Sequence, residues 1–327
     1  MNRLKGDIRL ALALVLAIAG ACYVLFPGYL GLMTTICIVA MFALSYDLLQ
    51  GYAGILSLGH AIFFGLGAYT VAILGTHGVT EPLLTLAAAM VVAGVVAGVL
   101  APVVVIGNDF NRLLVTLGFG FLFYEAANKA GSWTGGADGL SSFTVSPIAG
   151  LFEFDFEGKT AFFYSVAGLV LTYFIVWRIT TSPFGSALRG LRENTLRMYA
   201  IGAPVTRHRA VAYVMSGAIA GMAGAMLAQT SNFVSLDMLG FGRSADVFIM
   251  TALGGTGSIP GVVFGAAAFT WIKDALSSIS PKYWELGVGI ILMLSVFVLP
   301  DGVAGLAKTM RRWRAGRCPS TRSKPTN

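Results

Sequence analysis

An apolar run interrupted by glycines constrains this chain more than any other feature. Residues 44–70 read LSYDLLQGYAGILSLGHAIFFGLGAYT, and positions 51–67 hold five glycines and one histidine. The stretch is apolar enough for a bilayer, yet each glycine inside a helix costs roughly 0.5–1 kcal/mol relative to alanine. A span that keeps so many gains close backbone packing against another helix, or a deliberate break. A second such stretch, ALGGTGSIPGVVFGA at 252–266, lies in the other half of the chain. Paired interruptions in two halves point to an internal repeat and a transport path; ordinary glycine-rich helix packing is the plainer alternative.

Of the 327 residues, 56% are hydrophobic and 11% charged, with a mean hydropathy of +0.78. A soluble domain carries about 25% charged residues, so a water-soluble fold would expose large apolar patches. A helix needs roughly 20 apolar residues to cross the hydrocarbon, and the alternating pattern of a membrane barrel is absent. The expected fold is an all-α polytopic membrane protein with internal pseudo-symmetry. About ten transmembrane helices, some broken or half-length, are expected at 10–26, 30–49, 54–75, 82–106, 112–129, 160–178, 209–230, 243–255, 258–277 and 283–300. The basic start and apolar run of 1–26 mimic a signal peptide but read as a retained first helix. One transmembrane domain over 1–309 would be followed by a basic, disordered cytoplasmic tail at 310–327.

Charge sets the expected orientation. Segment 178–209 holds six arginines against the single acid Glu193, and the tail from Ala304 holds seven Lys/Arg and no acid. The loop at 131–159 instead carries Asp138, Glu153, Asp155 and Glu157 against Lys159. Basic loops stay cytoplasmic. Both termini and the 179–208 loop are therefore placed inside, and the 131–159 loop outside. LFEFDFEGK within that outer loop alternates like a short hairpin arm. The basic tail reads as an orientation signal in contact with anionic lipid, and nucleic-acid binding is not indicated.

The arginine-rich loop has its own pattern. SPFGSALRGLRENTLRMYAIGAP (182–204) opens with a helix start at Pro183–Ser186 and stops at Gly202–Pro204. Leu188, Leu191, Thr195 and Met198 form one face of a single amphipathic helix over 186–201. Arg189, Arg192, Glu193 and Arg197 lie on the others, Glu193 and Arg197 at the i,i+4 spacing of an ion pair. Such a helix fits a partner protein that pushes on it, or a lipid surface that anchors it.

Charged and polar groups inside spans are costly. Asp47, His60, Glu125, Arg243, Asp246, Lys273 and Asp274 are the candidates, each read first as structural. His60, between Gly59 and Ala61 in the broken segment, is the best placed for a path. Around it, Asp47, Gln50, Ser57, Gly254, Gly255 and Ser258 complete the candidate path set. No GxxxxGK[ST] phosphate loop, HExxH or CxxC is present, and His60, His77 and His208 lie too far apart in the expected topology to share a metal. An ion-gradient transporter using Asp47, Asp246 and His60 is one competing reading, and an intramembrane enzyme using His60 is another.

Three stretches resemble the membrane subunits of branched-chain amino acid ABC importers, the M-type permeases more closely. They are 44–70, TGGADGL at 134–140, and RENTLRMYAIGAPVTRHRAVAYVMSGAIAGMAGAMLAQ at 192–229 followed by GRSADVFIMTALGGTGSIPGVVFGA at 242–266. Asp47 and Ile55 depart from the resemblance, standing where many members have Asn and Gln. The resemblance implies the many-helix importer fold shared with cobalamin and ribose permeases. It implies that this chain is a non-catalytic half of a translocation path in the bacterial inner membrane, carrying branched-chain amino acids or related solutes such as urea and short amides. It further implies a second homologous permease, two ATP-binding subunits that hold ATP and Mg, with no cofactor in this chain, and a periplasmic solute-binding protein that docks at the 131–159 face. Ser186, Arg189, Gly190, Arg192, Glu193, Asn194 and Arg197 would form the surface on which an ATPase subunit seats.

Overall fold

The computed structural model describes residues 27–141, 143–148, 150, 152–153 and 157–279, with isolated positions 20, 286, 287 and 289. The expected spans 10–26 and 283–300 and the tail 310–327 lie outside the described residues, apart from those isolated positions. Among the described residues the path is helical nearly throughout. It runs α1 (Leu30–Asp47), α2 (Ala61–Thr76), α3 (Pro82–Val105), α4 (Asp109–Lys129), α5 (Lys159–Thr181), α6 (Pro183–Glu193), α7 (Thr195–Ala200), α8 (Val205–Ser231), α9 (Phe241–Gly254) and α10 (Ile259–Ile279), with short turns between.

Five described segments are long and apolar enough to cross a membrane: Leu30–Tyr52, α3, α5, α8 and α10. The ten expected spans are therefore not all confirmed, and the shortfall has local causes. Residues 53–60 leave the helix, which trims the expected 54–75 span to the 16 residues of α2. Helix α4 carries Asp109, Arg112, Glu125 and Lys129 toward its ends, which lowers its hydropathy. The 243–255 segment is realised as α9, with 14 residues.

Helices α1 and α8 are the interior elements. Helix α8 packs on α1, α2 and α3, while α1 also meets α5, α9 and α10. Small residues make the first of these contacts tight. A Cβ added to Gly224 would overlap the Phe64 carbonyl of α2, and one on Gly67 would overlap the Gly221 carbonyl of α8. One on Gly217 would lie 2.7 Å from the Ala97 Cβ of α3. Without a hydrophobic force between helices in lipid, such close backbone approach supplies the dispersion that holds them together. Gln229 of α8 fastens the other end: its Nε2 donates to Pro82 O at 2.8 Å and Thr85 Oγ1 at 3.0 Å, and its Oε1 accepts from Tyr164 Oη at 2.8 Å.

The acidic loop is tied down where it follows α4. Thr134 Oγ1 donates to Ala127 O at 2.6 Å, and Leu140 exchanges backbone hydrogen bonds of 2.8 and 2.9 Å with Val234. Of the expected hairpin arm, the described residues show an isolated bridge between Ile148 and Phe152. Positions 151 and 154–156 lie outside them.

Candidate functional site at the junction of two interruptions

The first interruption starts where α1 ends. Leu48–Tyr52 winds as a π turn, in which Ala53 N donates to Leu48 O at 3.3 Å. Residues 53–60 then run non-helically to α2, fully buried except for Gly54, Leu56 and Leu58. Buried backbone needs partners, and side chains from distant helices supply them. Leu58 N donates to Thr116 Oγ1 at 3.1 Å, and Ala61 N donates to Ser244 Oγ at 2.9 Å.

The second interruption lies between α9 and α10. Gly255 (φ 92°) and Gly257 (φ 83°) turn the chain through backbone angles that side chains disfavour. Ser258 closes the turn with its N–H on Gly255 O at 3.2 Å. Gly254 and Gly265 let the two helices touch: a Cβ on Gly265 would lie 2.5 Å from Gly254 N.

The two interruptions meet. Gly257 N donates to Asp47 Oδ1 at 2.7 Å, and Tyr52 Oη donates to Gly257 O at 3.1 Å. Thr251 Oγ1 lies 3.4 Å from Gln50 Oε1. Asp47 is fully buried, and its Oδ2 has no protein partner. Arg192 of α6 joins from outside: its Nη1 donates to Gly51 O and its Nη2 to Thr256 Oγ1 at 3.2 Å. A single guanidinium thus bridges both interruptions.

Of the path candidates, Asp47, Gln50, Gly254, Gly255 and Ser258 gather at or beside this junction. His60 and Ser57 do not. His60 is fully buried, with its Nε2 3.0 Å from Ser45 Oγ and its ring stacked on Phe42 at 5.5 Å and edge-on to Tyr46 and Phe63. Ser57 is also fully buried, and its Oγ has no partner. Of the other charged candidates, Lys273 Nζ donates to Asp246 Oδ2 at 2.8 Å and so joins α9 to α10, Arg243 lies 3.4 Å from Asp237, and Glu125 lies 3.7 Å from Lys129. Tyr52, Thr256 and Gly257 were not singled out from sequence, although Thr256 and Gly257 fall inside the quoted glycine run.

The loop helix is two helices, not one. Ser182 caps α6 by accepting from Gly185 N at 3.3 Å, with Pro183 in the first turn. At Asn194 the backbone turns extended (φ −156°, ψ 95°), and its side chain caps α7 by accepting from Arg197 N at 2.9 Å. The expected Glu193–Arg197 ion pair is not formed, because its i,i+4 geometry needs an unbroken helix. The apolar face survives the break: Leu188 and Leu191 are buried, and Thr195 and Met198 are half-buried. Arg189 Nη2 donates to Thr180 O at 3.1 Å, while Gly190 backs onto Met198. Ser186, Glu193, Asn194 and Arg197 face outward, beside the exposed Leu196, Tyr199 and Ile201.

Long apolar helices with buried, side-chain-satisfied breaks define a multi-pass membrane protein. The family described as "Branched-chain amino acid transport system / permease component" matches residues 28–297. The chain belongs to that family, whose members are permease subunits of transport systems. It is 27% identical to the high-affinity branched-chain amino acid transport permease LivM of Salmonella typhimurium over 97% of this chain and 79% of that protein. Against LivH of Escherichia coli K12 it is 32% identical over 43% of this chain and 44% of that protein. The autoinducer 2 import permease LsrC of an Enterobacter species is 26% identical over 91% of this chain and 88% of its own length. No solved structure gives a significant match.

Proposed function

We propose that this chain is the permease subunit of an ATP-driven importer, forming half of the translocation path for branched-chain or related amino acids. The path follows the junction of the two interruptions. Helices α6 and α7 seat an ATP-binding subunit, and a second, related permease completes the pore. A solute-binding protein delivers substrate at the acidic 131–159 face, and the 179–208 loop is cytoplasmic. The solute itself is carried by the resemblance to LivM. A permease named for a different solute also aligns with nearly the whole chain, so the scaffold alone does not fix it.

One observation carries the mechanical part. Arg192 sits on the exposed loop helix yet bonds to both helix breaks. A push on α6 would therefore reach Gly51 and Thr256 together, and the breaks are where helices rotate at least cost in backbone hydrogen bonds. Two hydrogen bonds from a partly exposed guanidinium contribute about 1–2 kcal/mol in total, so their loss would lower the uptake obtained per ATP by up to roughly thirtyfold. In vesicles holding the full transporter and its binding protein, Arg192→Ala is expected to retain ATP hydrolysis while uptake falls, with Glu193→Ala adding to the defect. Unchanged uptake per ATP, or uptake by this chain alone on a proton or sodium gradient, would overturn the reading.

A further inference from the structure

A second polar site lies at the same end of the molecule as α6 and adjoins the first interruption at Gly54. A cavity of about 590 Å³ opens between the α3–α4 turn, the α6–α7 break and the start of α8. Its charged lining is Asp109, Arg112, Arg192 and Arg209, three cations against one acid. Arg192 is committed to the helix breaks. Arg112 and Arg209 are not committed in the same way, and both are deeply buried, at 5% and 6% exposure.

Arg112 donates from Nη1 to Asp109 Oδ1 at 2.6 Å and from Nη2 to Val105 O at 3.3 Å. Arg209 donates from Nη2 to Thr195 Oγ1 at 3.0 Å. The Nε of each has no partner. Arg112 has Asp109 as its counter-ion and Arg209 forms no ion pair among the described residues, so the two guanidiniums carry one charge more than Asp109 offsets, and a further anion in the cavity would be favoured. Planar forks of this kind match the oxygens of a phosphate.

A neighbouring cavity tells which phosphate. A groove of about 600 Å³ runs along α3 and α8, walled by Pro102, Val211, Val214 and Met215. Val105, Ile106 and Thr206 line both cavities. A cationic, hydrogen-bonding pocket thus continues into an apolar channel on the outer surface of the helices. Inorganic phosphate or a nucleotide would use only the first half. A phospholipid uses both, and basic pockets at the cytoplasmic ends of membrane helices are suited to anionic head groups.

We propose that this is a site for an anionic phospholipid, its phosphate on Arg112 and Arg209 and an acyl chain in the α3–α8 groove. Bound there, the lipid would brace the α3–α4 turn against Thr195 at the start of α7, and so set the resting position of the loop helices. The proposal rests on the proposed orientation and assembly, but its test reads lipid binding and needs no transport, so the two can fail separately.

The assembled transporter, stripped in mild detergent, would be titrated with phosphatidylglycerol, phosphatidylcholine or inorganic phosphate, and bound species counted by native mass spectrometry. Selective retention of phosphatidylglycerol is expected. Arg112→Gln with Arg209→Gln should weaken it by about thirtyfold, at roughly a fivefold loss for each basic side chain. Arg178→Gln, outside both cavities, should leave it unchanged. Val211→Trp fills the groove without touching either guanidinium, so it tests the site even if the double variant fails to fold, and it should also abolish retention. Equal retention of phosphatidylcholine, displacement by millimolar inorganic phosphate, indifference to Val211→Trp, or a groove found covered by the second permease with no lipid held would each overturn the proposal.

Discussion

Asp47 offers the sharpest test of how the two interruptions are held together. Its Oδ1 accepts the Gly257 N–H at 2.7 Å, from a turn whose positive φ angles give that N–H no helical partner. Asp47→Asn keeps an acceptor in the same place, so stability should change by less than about 1 kcal/mol. Asp47→Ala removes the acceptor. The orphaned donor, half-buried, then costs about 1–2 kcal/mol, and the small cavity adds to this. For a chain of this size that is a fall in melting temperature of roughly 1.5–3 °C. Thermal unfolding of the two variants in detergent, followed by tryptophan fluorescence, would compare them directly, with uptake in vesicles as a second readout. The order expected is wild type close to Asn, and both above Ala. If Asn and Ala lose stability equally, the carboxylate charge holds the junction and the hydrogen-bond argument fails.

Other expectations follow from the packing. Gly224→Ala drives a Cβ into the Phe64 carbonyl, and should cost at least 1–3 kcal/mol by the usual price of overpacking; a properly folded, fully stable variant in size-exclusion and thermal assays would contradict the close α2–α8 contact. His60→Ala empties a site ringed by Phe42, Tyr46 and Phe63 and should lose about 2–4 kcal/mol, whereas His60→Phe should recover most of it. Equal loss in both would mean that the Ser45 hydrogen bond, not the ring, matters. Asp246→Ala removes the carboxylate that accepts from Lys273 Nζ at 2.8 Å, and is expected to cost about 1–2 kcal/mol, less than breaking a fully buried pair because the side chains are 20% and 33% exposed. The double variant with Lys273→Ala should recover stability, and a double variant as unstable as the single would refute pairing as the cause.

Much of the architecture is legible in the residues. Apolar runs of about 20 locate α1, α3, α5, α8 and α10, and the clustered glycines locate both interruptions. Two features are not legible, for identifiable reasons. Leu188, Leu191, Thr195 and Met198 keep one helical phase through Asn194, so periodicity reads a single helix where the structure breaks it. The surviving signal is Asn194 itself, since asparagine is a strong N-cap and a weak interior residue. The burial of Arg112 and Arg209 is hidden for another reason. A charge count treats every arginine as a surface group, and their enclosure arises from the folding of the α3–α4 turn over the start of α8. At the candidate path, sequence supplied Asp47 and the glycines, but Arg192 as the bridge between the two breaks depends on contacts spanning 141 and 64 positions along the chain.

The π turn at Leu48–Tyr52 makes chain length there matter more than composition. A wide turn holds one residue more than a regular helix would, and Gly51 and Tyr52, which meet Arg192 and Gly257, lie within it. Inserting one further position ahead of Gly51 would exceed what a single wide turn absorbs and swing everything after it by about 100° around the helix axis. Gly51 would then carry its carbonyl away from Arg192, and Tyr52 its hydroxyl away from Gly257. Substitutions can be absorbed in such a segment one contact at a time, but a frame of one residue cannot.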